Sequence, residues 1–518
     1  MKALFARRST SLQGDTPLAL VLALGTFLGR FLFRSRILYH WDSVNFAYAM
    51  REFSVAKEQP HPPGYIVYVW LCRVVDLLFH DAQVTMVWIS IVASALAVVA
   101  LFYLGRAMFD RQVGLVAALL LASSPLFWFY GEIALPHTLD TFLVILAGWL
   151  LYQVMLGRTD HLIPAAITLA IAGGVRQQTL IFLAPLGLFA VRSVGVKRWF
   201  LAAAVGALIC LVWFVPLIYL SGGIGNYFHI MSEYNHRFQS TTSIFLGGGW
   251  WGIQRNVRKL AMYTLYGWSV ALIPCFAYWG ARLWRREWPR QWERIIFLVL
   301  WVGPALVFYT IIHMGQQGLV FIFLPALLIC SAVGLVRLLS PGPGNRLVWL
   351  ATVLVGINLA IFCLAPEYPL GSDRLRLLTH TTLINSDRYY GDRFAAIQEH
   401  FAPESTAILA ANWHHVEYYL PEYRLLPFDV ASKWEQGEGE LRGNVGERTA
   451  TAAELGLRPD AKGQAFVIVF DAVLEPFDGT PDWNQQLALR HGDALGFFTL
   501  TENKALHWGA VSFGVIAQ

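Results

Sequence analysis

YIVYVWLCRVVDLLF, from Tyr65 to Phe79, is the stretch on which the fold turns. It is apolar enough to enter a bilayer, but a spanning helix needs roughly 20 such residues and this run is shorter. It also carries Arg73 and Asp76, which are expensive at membrane depth. If the stretch crosses, every later loop changes side. If it lies in the interface, they keep their sides.

The charges around it decide. Spanning stretches are expected at 17–33, 84–104, 113–129, 138–156, 199–220, 262–281, 295–312, 318–336 and 347–365. The run 161–191 is too long for one span and is interrupted by Gly173-Gly174-Val175-Arg176-Gln177-Gln178, so it reads as two short spans meeting at a polar turn. With 65–79 interfacial, the loops 105–112, 157–161, 192–198, 281–294 and 337–346 share one side and hold 13 Lys and Arg. The opposite loops 130–137, 173–178, 221–260 and 313–317 hold 5. Lys2, Arg7 and Arg8 fall on the richer side. Positive loops stay cytoplasmic, so the N-terminus is expected inside and the C-terminus outside. The first span lacks a small-residue cleavage site and reads as a signal anchor.

Composition divides the chain the same way. Of its 518 residues 56% are hydrophobic and 14% charged, against about a quarter charged in soluble domains. Up to Ala365 there are 27 basic and 13 acidic side chains, a net +14; beyond it 12 basic and 21 acidic, a net −9. A single soluble globule is excluded, and so is a nucleic-acid binder inferred from overall basicity. The expected architecture is a polytopic α-helical membrane protein: about 11 transmembrane helices over 1–365, interfacial helices in the first outer loop, and a small α/β extracytoplasmic domain over 366–518. In that tail Asp392–Phe401 and Trp413–Leu420 read as helices, and Thr406–Ala410, Ala465–Phe470 and Val511–Ile516 as strands. The polar, Gly-rich stretch 431–463 reads as a loop. The five cysteines, Cys72, Cys210, Cys275, Cys330 and Cys363, all sit in apolar segments without metal-like spacing, as buried thiols do.

Few acids are available for chemistry. Asp15, Asp110, Asp160, Glu287 and Glu293 fall on the cytoplasmic side, leaving Asp42, Glu52, Glu58, Asp76, Asp81, Glu132, Asp140 and Glu233 for an outward site. Asp42 lies in Tyr39-His40-Trp41-Asp42-Ser43-Val44-Asn45, directly after the first span. It reads as a reactive carboxylate or as the N-cap of an amphipathic surface helix over 46–55. His61 follows in Gln59-Pro60-His61-Pro62-Pro63-Gly64, where three prolines stiffen a turn that does not itself require histidine. Glu132, His137 and Asp140 flank the second outer loop; a carboxylate at the depth of Asp140 must face protein or a wet cavity, or else bond to a neighbouring helix. Arg176 and Gln177 lie at the turn between two half-length helices, where a fixed guanidinium suits a phosphate or a structural ion pair. His313 and Gln316 form a further polar turn, and His229, Glu233, His236 and Arg237 lie in the loop 221–260 as substrate contacts or as solvated side chains. Arg30, Arg34 and Arg36 depart from the positive-inside pattern, which snorkelling to lipid headgroups would explain.

Taken in order, these features resemble the GT-C fold glycosyltransferases: an inward N-terminus, an outer loop with an Asp just after the first span, a Pro-Pro turn ahead of an interfacial helix, and a later span beginning near Asp. The likeness is to the bacterial branch related to protein O-mannosyltransferases and the lipid A aminoarabinose transferase. Gly105-Arg106-Ala107-Met108-Phe109-Asp110-Arg111 before an Ala/Leu-rich span ending in Ser124-Pro125-Leu126-Phe127 is also similar. The resemblance covers roughly 20–365 and leaves the tail unexplained. It implies a sugar donor linked to polyprenyl phosphate, used at the outer face of the plasma membrane, and an acceptor hydroxyl on a glycan, lipid or protein. It implies that Asp42 is the catalytic carboxylate, that His61 stands where a phosphate-contacting Lys is common, that Asp140 is the later acid near the acceptor or metal pocket, and that Arg176 is the basic residue at the half-helix turn. Protein mannosyltransferases carry Asp-Glu where this chain has Asp42-Ser43.

The chemistry expected is deprotonation of the acceptor by Asp42 and stabilisation of the departing phosphate by His61 and Arg176. The acceptor pocket is expected from Glu132, His137, Asp140, Gln177, His313 and Gln316. Acids and histidines near the site could bind a divalent metal, but no spacing demands one. A transporter or flippase of lipid-linked sugars is the rival reading; it predicts polar residues through both leaflets, whereas here they cluster outward.

Overall fold

The computed structural model describes residues 12–287, 291–339, 344–370, 375–411, 413–429, 440–441, 448–471, 485–508 and 513–517. The expected loop over 431–463 lies partly outside these, as do the basic residues of the N-terminus. The helices are α1 (Thr16–Phe33), α2 (Trp41–Arg51), α3 (Ile66–Phe79), α4 (Ala82–Met108), α5 (Arg111–Ser123), α6 (Pro125–Tyr130), α7 (His137–Met155), α8 (Leu162–Val175) and α9 (Gln177–Ala190). They continue with α10 (Val196–Leu220), α11 (Ile224–Gln239), α12 (Gly249–Trp268), α13 (Leu272–Trp284), α14 (Trp292–Ile311), α15 (Leu324–Leu339), α16 (Gly344–Leu364), α17 (His380–His400) and α18 (Trp413–Tyr419). Strands β1 (Pro369–Leu370) and β2 (Leu375–Arg376) form a hairpin.

The chain forms two compact units. One comprises the chain to Arg36 with Asn45–Leu383; the other comprises Ile37–Val44 with Ile384–Gln518. The boundary falls later than Ala365 because the hairpin and the start of α17 pack with the first unit. Tyr266 donates to the carbonyl of Leu378 at 2.8 Å, Gln317 to that of Arg376 at 3.1 Å, and the His380 ring lies 4.7 Å from that of Phe33.

The first unit is a multi-pass helical body. Among the described residues seven segments are long and apolar enough to cross a membrane: α1, α4, α7, α10, the run Gly249–Trp284, α14 and α16. Helices α5, α8, α9 and α15 are apolar but shorter. Two expectations change. The span expected at 113–129 breaks after Ser123, because Pro125 has no N–H to continue the ladder and opens α6 instead. The loop expected over 221–260 is largely helical: α11 and the start of α12 occupy it, with Tyr227 on the buried face of α11. Small residues let helices touch at backbone distance. A Cβ on Gly114 would lie 2.4 Å from the Phe102 carbonyl, and one on Gly334 2.3 Å from that of Pro274.

Within 65–79, Ile66–Phe79 form α3, 14 residues long, with Tyr65 as its N-cap. Both of its charges serve neighbouring helices. Arg73 donates to the carbonyls of Ala49 and Met50 at 2.8 and 3.0 Å, satisfying the end of α2, and Asp76 accepts from Thr85 of α4 at 2.7 Å. Asp15 holds Arg106 and Arg111, each at 2.7 Å, and Asp110 caps α5 through the Val113 N–H. Arg30 does not snorkel: it is 1% exposed, donates to the Ala122 carbonyl at 2.7 Å and lies 4.2 Å over Trp128. All five cysteines are free thiols.

The second unit is mixed α/β. Its strands are β3 (Thr406–Ala410), β4 (Arg424–Asp429), β5 (Glu440–Leu441), β6 (Arg448–Ala450), β7 (Ala465–Val469), β8 (Gln485–Ala488), β9 (Ala494–Leu500), β10 (Lys504–Trp508) and β11 (Phe513–Ala517). Six of them form a sheet ordered β5-β4-β3-β7-β9-β8, with β3 parallel to both β4 and β7. A small antiparallel sheet is ordered β11-β10-β6. The central β3 is buried along its whole length, as a strand covered on both faces must be. One face packs Tyr390, Phe394, Ile397 and Phe401 of α17; the other buries Val467, Phe498 and Trp508.

Candidate active site

In the first unit the polar residues gather where α8 stops. Arg176 leaves the helix with extended backbone (φ −152°), and α9 begins at Gln177 without a side-chain cap. The close approach behind this break needs glycine: a Cβ on Gly174 would sit 2.3 Å from Val67 Cγ2 and 2.9 Å from Trp213 Cδ1. Arg176 is 5% exposed, and three groups orient its guanidinium. Asp140 Oδ2 lies at 3.5 Å, and Nη2 donates to Tyr309 Oη at 3.2 Å and to Gln178 Oε1 at 3.1 Å. The other Asp140 oxygen accepts from Thr179 Oγ1 at 2.7 Å. Asp140 is 3% exposed, so its charge is met by Arg176 and Thr179 within the protein.

His61 belongs to an aromatic nest beside this cluster. Its ring lies 5.6 Å from Phe46, 4.8 Å from Tyr65 and 6.2 Å from Tyr234. Tyr65 also lies within electrostatic reach of Arg176. The proline turn is tied to the helix break by Gln177, whose Nε2 donates to the Pro63 carbonyl and to Tyr227 Oη, both at 3.1 Å. Gln177 thus holds the turn.

The remaining expected residues have partners of their own. Glu132 is fully enclosed: its Oε1 accepts from Trp128 Nε1 at 2.5 Å, its carbonyl accepts from Ser35 N at 3.1 Å, and Arg30 is its charge partner. Its other carboxylate oxygen, Oε2, is buried without a hydrogen-bond partner among the described residues. His137 opens α7 with its ring 4.9 Å from Tyr130, and Gly318 passes so close that a Cβ there would meet the His137 ring at 2.5 Å. His313 Nδ1 lies 2.9 Å from Thr242 Oγ1, and burial, helped by Lys259 and Arg255, pushes its pKa down to about 4. Asn256 fixes that turn by accepting from Met314 N at 3.1 Å and donating to the Thr242 and Thr310 carbonyls. Gln316 is half-buried in the same turn. On α11, His229 and Glu233 pair in solvent, and Arg237 pairs with Glu58.

Asp42 lies in the second unit, in the first turn of α2. It is 7% exposed; its N–H donates to His40 Nδ1 at 3.1 Å, and its Oδ2 lies 3.4 Å from the same nitrogen. Sequence reading missed Thr179, Tyr309, Tyr65, Tyr227 and Asn256. Only Thr179 left a signal, three residues after Arg176 at a helix start; the others are aromatic or amide side chains whose role appears only when distant helices meet. Among the described residues no group of three or more His, Cys, Asp or Glu is placed to hold a metal ion.

Residues 60–220 match the model of the family described as dolichyl-phosphate-mannose-protein mannosyltransferase. No curated protein matches the chain by sequence. Its structure is similar to that of ArnT from Cupriavidus metallidurans bound to undecaprenyl phosphate, with a TM-score of 0.50 and 14% identity over 94% of this chain and 98% of that one. The apo state of the same protein gives the same values. A third likeness, to the oligosaccharyltransferase of Archaeoglobus fulgidus in the apo form, has a TM-score of 0.44 and 12% identity, covering 80% of this chain and 64% of that one. The ArnT likeness is one of fold.

Proposed function

We propose that this chain, a multi-pass membrane protein of the GT-C fold, is a glycosyltransferase that moves a sugar from a polyprenyl-phosphate-linked donor to an acceptor hydroxyl on the outer face of the plasma membrane. The reading rests on the guanidinium of Arg176, buried at a helix break and held by Asp140, Tyr309 and Gln178. A fixed cation beside an uncapped helix start favours an anion, because the first backbone N–H groups of α9 and the guanidinium add their fields. The ligand of ArnT, undecaprenyl phosphate, supports the donor class.

In this scheme the acceptor oxygen attacks C1 of the sugar and Asp42 takes its proton. The bond from C1 to the phosphate oxygen breaks, its electron pair stays on the polyprenyl phosphate, and Arg176, with His61, stabilises that charge. Asp140 and Thr179 keep Arg176 in place. The N-terminus is cytoplasmic in this reading and the second unit extracytoplasmic, following the bias of basic loops.

A transfer assay with purified protein and a polyprenyl-phosphate-linked sugar tests it. Asp42→Asn should lose roughly 10²- to 10⁴-fold in turnover with folding intact; retained turnover would sink the base assignment. Arg176→Ala should weaken donor binding, and unchanged donor affinity would remove it from the phosphate site. Mass spectrometry of lipid co-purified with the wild type should find a polyprenyl phosphate.

A further inference from the structure

The second unit gathers a segment far from it in sequence. Ile37–Val44 belongs to it by contact, although some 340 residues separate the two in the chain. Backbone bonds hold this strap at consecutive residues. Ile37 N donates to Asp387 Oδ1 at 3.2 Å, and Leu38 N to Tyr419 Oη at 3.0 Å. The Leu38 carbonyl lies 2.8 Å from His415 Nε2. A carbonyl can only accept, so Nε2 carries the proton. Apolar contacts add to these: Leu38 is fully buried, Ile37 packs into the core formed by α17 and α18, and the Trp41 ring meets His414 at 5.7 Å.

His415 is itself fixed for this task. It is 2% exposed and stacks on Tyr390 with ring centroids 4.3 Å apart and planes 13° from parallel. Burial holds its pKa down to about 3, so the ring stays neutral and its tautomer constant at ordinary pH. The strap leads directly into Trp41 and Asp42 at the start of α2. Main-chain bonds at residues 37 and 38 leave little freedom four residues later, where the Asp42 carboxylate must meet an acceptor within tenths of an ångström.

We propose that the second unit is a clamp that fixes the Ile37–Asp42 strap and so aims the Asp42 carboxylate, with His415, Tyr419 and Asp387 as positioning residues. This rests on the reading of Asp42 as the base and gives the C-terminal unit a task within the same reaction.

The test uses full-length protein in nanodiscs, with amide hydrogen exchange over 37–44 and steady-state kinetics measured together. Tyr419→Phe removes the acceptor for Leu38 N–H, and His415→Ala removes the donor to its carbonyl. Each should speed exchange of the strap about tenfold or more and lower kcat several-fold, leaving KM for the lipid donor unchanged. His415→Gln, which keeps an amide donor near the same position, should restore most of kcat and of the protection. Unchanged strap exchange in Tyr419→Phe, or a kcat loss in His415→Ala that His415→Gln does not relieve, would overturn the clamp. If the wild type transfers no sugar, the proposed activity fails while strap exchange still decides whether the clamp exists.

Discussion

At the scale of single residues, the Arg176–Asp140 pair shows how stability and function separate. Breaking a buried pair by removing one partner costs about 3–5 kcal/mol, because the other charge is left uncompensated. Asp140→Asn should therefore lower the thermal midpoint in detergent strongly, and Thr179→Val less so, since it removes one neutral donor. The double variant Arg176→Met with Asp140→Leu should recover much of the lost stability but none of the donor binding; recovered donor binding would show that the pair is purely structural. Arg176 and Asp140 were legible as candidates in the sequence because charged residues in apolar runs are rare. That they face each other was not, since 36 positions separate them. Glu132 had the same sequence signature and a different fate, enclosed beside Arg30 and Trp128. Sequence reading marks a costly group but cannot say which partner meets its cost.

At the scale of elements, the break between α8 and α9 depends on how closely three helices approach. Gly174→Ala would press a methyl into Val67 of α3 and Trp213 of α10, an overpacking of about 1–3 kcal/mol. The expected outcome is a lower melting point and weaker donor binding together, because the displaced turn carries Arg176. The His313 turn gives a pH prediction. Its folded pKa of about 4 lies below the ordinary value of about 6.5. The unfolded chain then takes up a proton that the folded chain refuses, so stability falls as pH drops from about 6.5 towards 4 and is unaffected above that window. His313→Gln should flatten that part of an acid-denaturation profile; an unchanged slope would mean that other groups dominate it. The short helices on either side of Gly173–Gln178 were readable from length alone. The split of 113–129 was readable in principle from Pro125, and α11 from its amphipathic spacing, but both signals were outweighed by bulk hydropathy.

At the scale of the whole molecule, the asymmetry of basic loops predicts orientation. A reporter active only outside the cytoplasm, inserted at the exposed Gly463 of the second unit, should be active; activity of a cytoplasmic reporter there would reverse the proposed topology. The division into an apolar, basic part and a polar, acidic part was plain from composition, because burial in lipid and burial in a water-soluble core demand different amino acids. So was the candidate status of Asp42, His61, Asp140 and Arg176, because ionisable side chains near apolar spans need a reason to be there. Only the tertiary structure decided that Ile37–Val44 is gathered by the C-terminal unit, that Arg73 and Asp76 of the pivotal Tyr65–Phe79 stretch serve α2 and α4, and that Arg176 is oriented by Tyr309. Periodicity and charge record what each segment must bury or expose. The choice of partner depends on which distant segments the fold brings within a few ångströms, and local sequence does not carry that information.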